Sequence, residues 1–143
     1  MILARALSSV NLKIRFSFLF FVFFLGNPVV VWSALSLRQC QSIASELNKT
    51  YPMNADELTI ISSAVCVLDG ARSRLVYNMT VDRRMSDLTR DDIKQLRPRM
   101  VNAWCSDPRQ YNLLTQVNIE YRYSRHSGTY IESIQIRQSD CRR

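Results

Sequence analysis

The chain has 143 residues, a formal net charge of +7, and four cysteines against a single histidine. Its three glycines are isolated, which excludes a Gly-rich phosphate loop, and one imidazole without Cys-x-x-Cys spacing excludes the usual zinc ligand sets. The length fits one small domain behind a short leader.

The leader comes first. Arg5, Lys13 and Arg15 precede a ten-residue apolar run, FSFLFFVFFL at 16–25, followed by Gly26-Asn27-Pro28. This order of basic, apolar and breaking residues is that of a secretory signal peptide, and Val31 and Ser33 suit a cut after Ser33. Residues 1–33 are therefore read as a signal peptide. The alternative is an uncleaved inner-membrane anchor at 16–35, about long enough to cross a bilayer but interrupted by Asn27-Pro28. Cys40 follows Arg38-Gln39 and lacks the small residues that a lipidation site needs. The leader holds three cations and no anion, so residues 34–143 carry only +4, from 16 Lys+Arg against 12 Asp+Glu. Fourteen of those cations are arginine. Arginine suits carboxylate and phosphate contacts, but an Arg excess also follows from a GC-rich genome.

Residues 34–143 form the expected single domain. Ser36 and Gln39 make a capping box, and Leu37, Cys40, Ile43, Ala44 and Leu47 define one helical face that ends before Pro52. A β-hairpin follows at 58–68 and 75–81, turned by Asp69-Gly70. Strict alternation puts Ile60, Ala64 and Cys66 toward the core and Ile61, Val65 and Val67 on the opposite face. Thr89, with Asp92 three residues on, starts a second helix through Cys105, which Pro98 must kink or restart. Asp107-Pro108 starts a short third helix to about Leu114. A second hairpin pairs 117–123 with 129–138. Val117, Ile119, Tyr121 and Tyr123 point inward, Asn118, Glu120 and Arg122 outward, and the parity of Ile131, Ile134 and Ile136 switches as at a bulge.

The result is an α+β domain: two αββ units forming a four-stranded antiparallel sheet with helices on one face. In an exported chain, Cys40, Cys66, Cys105 and Cys141 imply two disulfides, with three possible pairings. Pairing Cys40 with Cys66 and Cys105 with Cys141 would staple each helix to its own hairpin.

The series Leu75-x-Tyr77, Cys105-Ser-Asp-Pro108, Ile119-x-Tyr121-x-Tyr123 and Ser139-Asp140-Cys141 resembles a group of small exported proteins of Gram-negative bacteria, mostly of unknown function, over residues 58–141. The resemblance implies the fold and the compartment and carries no active site. Small pilot proteins of bacterial secretion systems are similar in size and layout, although those are typically lipoproteins.

No residue set completes a catalytic constellation. His126 lies in a hairpin loop, Asp91-Asp92 is accounted for as negative charge at a helix N-terminus, and Asp56-Glu57 precedes a strand with no partner assigned. The expected protein is a non-enzyme without metal or cofactor, periplasmic or extracellular. It would act as an accessory or inhibitor-like factor that binds another envelope protein or itself. Its candidate interface is the apolar strip Ile61, Val65, Val67 and Val76. The alternative is a binder of anionic polymer, lipopolysaccharide or DNA, although nucleic acid is not the expected partner. It would use Arg72, Arg74, Arg122 and Arg125 beside Tyr130, provided both hairpin turns lie at one end of the sheet. Asn48-Lys-Thr50 and Asn78-Met-Thr80 also match the glycosylation pattern.

Overall fold

The structure, a computed structural model, describes residues 34–141. The apolar run at 16–25 and the expected cleavage position after Ser33 lie outside them. Helix α1 (Leu37–Asn48) opens with the expected capping box: Ser36 accepts from the Gln39 amide while Gln39 accepts from the Ser36 amide. Its buried face is Cys40, Ala44 and Leu47. Strands β1 (Met53–Asn54), β2 (Thr59–Asp69) and β3 (Arg72–Val81) follow, with Gly70 at φ +64° in the tight β2–β3 turn. Then come a 3₁₀ turn (Arg83–Met85), α2 (Arg90–Ser106), α3 (Pro108–Leu114), β4 (Asn118–Arg125), β5 (Tyr130–Ile136) and a closing 3₁₀ turn (Gln138–Asp140). Thr89 and Asp92 cap α2 reciprocally, and Asp107 caps α3 ahead of Pro108. Helix α2 runs as one element through Pro98, whose position faces solvent.

The α+β class and the stapling hold, and the sheet differs from expectation. It has five strands in the order β1-β2-β3-β4-β5 and is mixed, because β3 and β4 pair in parallel. Both hairpins are antiparallel as read. What joins them decides their relative direction. Seventeen residues of α2 rise about 25 Å. Eight residues of β4 span about the same. One helix therefore carries the chain from the end of β3 back to its starting end, and a parallel crossover results.

Registry assigns the faces. Leu75, Tyr77, Met79 and Val81 of β3 pair with Ile119, Tyr121, Tyr123 and Arg125 of β4, and Ile136 and Ile134 of β5 continue the set. This is the helix-bearing face. Cys40 of α1 bonds to Cys66 there, and Trp104 of α2 donates from Nε1 to the Tyr121 hydroxyl at 3.0 Å. The side chains of Leu75, Ile119, Ile134 and Ile136 are fully buried. The second disulfide is Cys105–Cys141, so each bridge ties a helix to its own hairpin. The bulge in β5 is present: Tyr123 opposes Glu132 and Ser124 opposes Tyr130, which leaves Ile131 as the extra, buried residue.

A second bulge was not expected. The β2–β3 register shifts between Ile61 and Ser63, and the inserted residue inverts the face of everything before it. Ile61 therefore pairs with Met79 on the helix face and is 5% exposed, whereas Ile60 turns to the other side at 38%.

Candidate interaction surface

The face away from the helices is built as rows across the sheet. Val67, Arg74 and Asn118 form one row; Val65, Val76, Glu120 and Gln135 form the next; Ser63, Asn78, Arg122 and Ser133 follow; Ile60, Thr80, Ser124 and Tyr130 form the last. Of the expected apolar strip, Val65 and Val67 stand on this face, 40% and 37% exposed. Val76 is on it as well, but it is fully buried at the centre. Ile61 is not on this face, because the bulge places it in the core. The solvent-facing apolar column is thus Ile60, Val65 and Val67 along β2, with Tyr130 exposed on β5.

Beside this column runs a chain of ion pairs. Arg74 reaches Asp69 and Glu120 at 2.6 Å each, and Arg122 meets Glu120 at 3.1 Å. The Asn118 amide donates to Asp69 at 2.9 Å. The guanidinium of Arg74 and then the Asn118 amide hold the Asp69 carboxyl below the usual carboxylate range. Glu120, expected to face solvent, is 3% exposed, and charge pairing is what makes that burial tolerable. Single-strand alternation carries no signal for this, because Arg74 and Glu120 become neighbours only through the parallel β3–β4 seam.

The expected arginine patch does not assemble. With β3 and β4 parallel, the Gly70 turn precedes β3 while the His126 turn follows β4, so the two lie at opposite ends of the sheet. Each guanidinium is also occupied. Arg72 donates to the Leu114 and Thr115 carbonyls at 3.1 and 2.7 Å, at the C-terminus of α3 where a cation is favoured. Arg74 and Arg122 belong to the ion-pair chain, and Arg125 donates to the Ser86 and Leu88 carbonyls. The Tyr130 hydroxyl donates to Glu132.

His126 borders a shallow depression of about 360 Å³ lined by Ile60, Thr80, Val81 and the 82–84 loop, with Arg83 Nη2 3.0 Å from its Nε2. Among the described residues no hydroxyl or thiol nucleophile bonds to that ring, and all four cysteines are in disulfides. On the helix face Tyr77 and Tyr121 stack with ring centroids 5.2 Å apart, and burial raises the hydroxyl pKa of both. This cluster is core, covered by the helices. Both Asn-x-Thr side chains are used inside the fold: Asn48 bonds the Ala64 backbone, and Asn78 donates to Ser63.

No protein-family model matches the chain, and no curated protein matches it. Solved structures do. A Pseudomonas aeruginosa protein described as secreted superposes with a TM-score of 0.60 at 15% identity, over 74% of this chain and 92% of its own. The pilotin of the Vibrio vulnificus type 2 secretion system gives 0.59 at 12% identity, over 75% and 92%. The type II secretion pilotin of Vibrio cholerae gives 0.53 at 13% identity, over 73% and 91%. At these identities the likeness is one of fold, and it spans nearly the whole of each neighbour.

Proposed function

We propose that the chain is an exported accessory factor of the cell envelope that acts by binding another envelope protein, a pilotin-like role without chemistry of its own. The observation that carries this reading is the column Ile60, Val65 and Val67, exposed on a sheet face that bears neither α1 nor α2. Val65 and Val67 adjoin on that face, with Ser63 between them and Ile60, and exposed apolar residues grouped on a small domain mark an interaction site. Two disulfides suit an oxidising compartment, periplasmic or extracellular. The match to two type II secretion pilotins over 92% and 91% of their length supports an envelope role. The anionic-polymer reading loses its main support, because the arginines it needs are separated and occupied. Deleting the gene in its host and measuring type II substrates in the medium tests the proposal. Secretion should fall, and wild type should restore it while Val65→Lys does not. Undiminished secretion in the deletion strain refutes the secretion role, and full restoration by Val65→Lys refutes the open face as the partner surface.

A further inference from the structure

The outer edge of β2 is protected over only half its length. β1 pairs with Ile60 and Ile61. Beyond it, the Asn48 side chain acts as a one-residue strand, accepting from the Ala64 amide at 2.7 Å and donating to the Ala64 carbonyl at 2.8 Å. In an antiparallel strand the outward-facing backbone groups recur at every second residue. Ala64 facing outward therefore puts the N–H and C=O of Cys66 and Leu68 on the same edge. Among the described residues nothing pairs with them. The side chains here are apolar and open, with Val65 40%, Val67 37% and Leu68 66% exposed. No charge and no proline occurs between Ser63 and Leu68. Those are the residues that normally keep an edge strand from pairing.

We propose that this edge is closed by the same edge of a second copy, in a two-fold antiparallel β2–β2 seam centred on Val67. The free hydrogen-bonding groups select the register. A seam centred on Cys66 would set Leu68 against Ala64 of the second copy, whose backbone Asn48 already holds. A seam centred on Val67 sets Cys66 against Leu68 and Leu68 against Cys66. Both free residues of each copy then exchange both of their bonds, and no outward group of that stretch is left over. The two Val67 residues meet as a non-hydrogen-bonded pair, about 4.5 Å between Cα atoms, on the open face. Leu68 packs across from Cys66 of the second copy as a cross-strand pair. Val65 comes opposite Asp69, whose carboxylate Arg74 and Asn118 already hold. The uncharged, self-complementary edge singles out a second copy as the occupant, and a two-fold contact closes on itself without extending into a filament. The seam runs along the rim of β2 and shares Val65 and Val67 with the open face; self-association reports on the seam, whereas loss of secretion reports on the partner surface.

The test is sedimentation velocity on the exported chain, purified from the envelope, over a dilution series. Wild type should pass from monomer to dimer as concentration rises. Val67→Lys places like charges directly opposite across the axis. Leu68→Pro removes an outward N–H while leaving the β2–β3 ladder intact. Each should raise the dimer Kd about tenfold or more. A wild type that stays monomeric at every concentration overturns the proposal, as does a Val67→Lys chain that dimerises like wild type with both disulfides intact. Hydrogen exchange on wild type itself gives a readout that does not depend on the variants folding. The Cys66 and Leu68 amides should be protected at high concentration and exposed on dilution, and equal exchange at both extremes overturns the seam.

Discussion

Arg74 on β3 and Glu120 on β4 meet at 2.6 Å across the only parallel seam among the described strands, on the face away from the helices. The Glu120 side chain is 4% exposed there, so Arg74 is what makes its charge tolerable. Removing one partner of such a pair leaves an uncompensated charge, whereas replacing both by apolar groups is often close to neutral. Arg74→Met should therefore cost about 2–3 kcal/mol, below the fully buried range because Arg122 still reaches Glu120. Arg74→Met with Glu120→Leu should recover most of that. Urea unfolding of the two variants checks it, and a wild-type midpoint for Arg74→Met would show that the pair contributes nothing.

Neighbouring isoleucines give a sharper contrast. Ile61 is 5% exposed on the helix face and Ile60 is 38% exposed on the other, although simple alternation gives the reverse. Ile61→Ala should cost about 2–5 kcal/mol as a core truncation. Ile60→Ala, a surface change, should stay within about 0.5 kcal/mol. Thermal unfolding of both variants measures the difference, and equal losses would place the β2 bulge elsewhere.

That bulge also marks where the sequence stops being legible. Local signals sufficed for what is locally determined. Ser36 with Gln39, and Thr89 with Asp92, announce their helices because a cap acts within four residues. The switch of parity from Ile131 to Ile134 exposes the β5 bulge, because the apolar side chains on both sides of it must reach one core. The cysteine pairing follows from each helix lying over its own hairpin. At the β2 bulge, by contrast, Ile60 and Ile61 are chemically identical, so no periodicity tells which of them turns inward. The direction of β4 relative to β3 depends on where α2 delivers the chain, and no residue in either strand encodes that. The open-face site was half readable for the same reason. Val65 and Val67 follow from alternation, while the Asp69–Arg74–Glu120 chain exists only once the strand order is known.

Stability should narrow at both ends of the pH scale. The carboxyl of Asp69 is depressed by its hydrogen bonds from Arg74 and Asn118, and that of Asp92 by the Thr89 cap. A depressed acid binds fewer protons folded than unfolded. Its contribution is complete above the unfolded value of about 4 and is lost as the pH falls through the folded value. Asp69→Asn should flatten that acid limb. Tyrosines act in the opposite sense. Burial pushes Tyr51 up to about 12 and raises Tyr77, Tyr121 and Tyr123 as well. Their stabilisation is complete below about 10 and drains away as the pH rises beyond it. Unfolding monitored from acid to alkaline pH should show both limbs. An acid limb unchanged in Asp69→Asn would remove that carboxylate from the account.

The two disulfides should not contribute in the order of their loop lengths. Cys40–Cys66 spans 26 residues and Cys105–Cys141 spans 36. Loop-closure entropy alone gives about 3.5 and about 3.8 kcal/mol, so the second should matter slightly more. Packing reverses this. Cys40, on the buried face of α1, is 1% exposed, whereas Cys66, Cys105 and Cys141 are half-buried. Replacing Cys40 and Cys66 by alanine therefore adds a cavity cost to the lost constraint. The tail at Cys141 is held a second way, because Arg97 of α2 pairs with Asp140 at 2.8 Å. Denaturant unfolding should find the Cys40/Cys66 double-alanine chain less stable than the Cys105/Cys141 one. The reverse order would mean that chain entropy outweighs packing at these bridges.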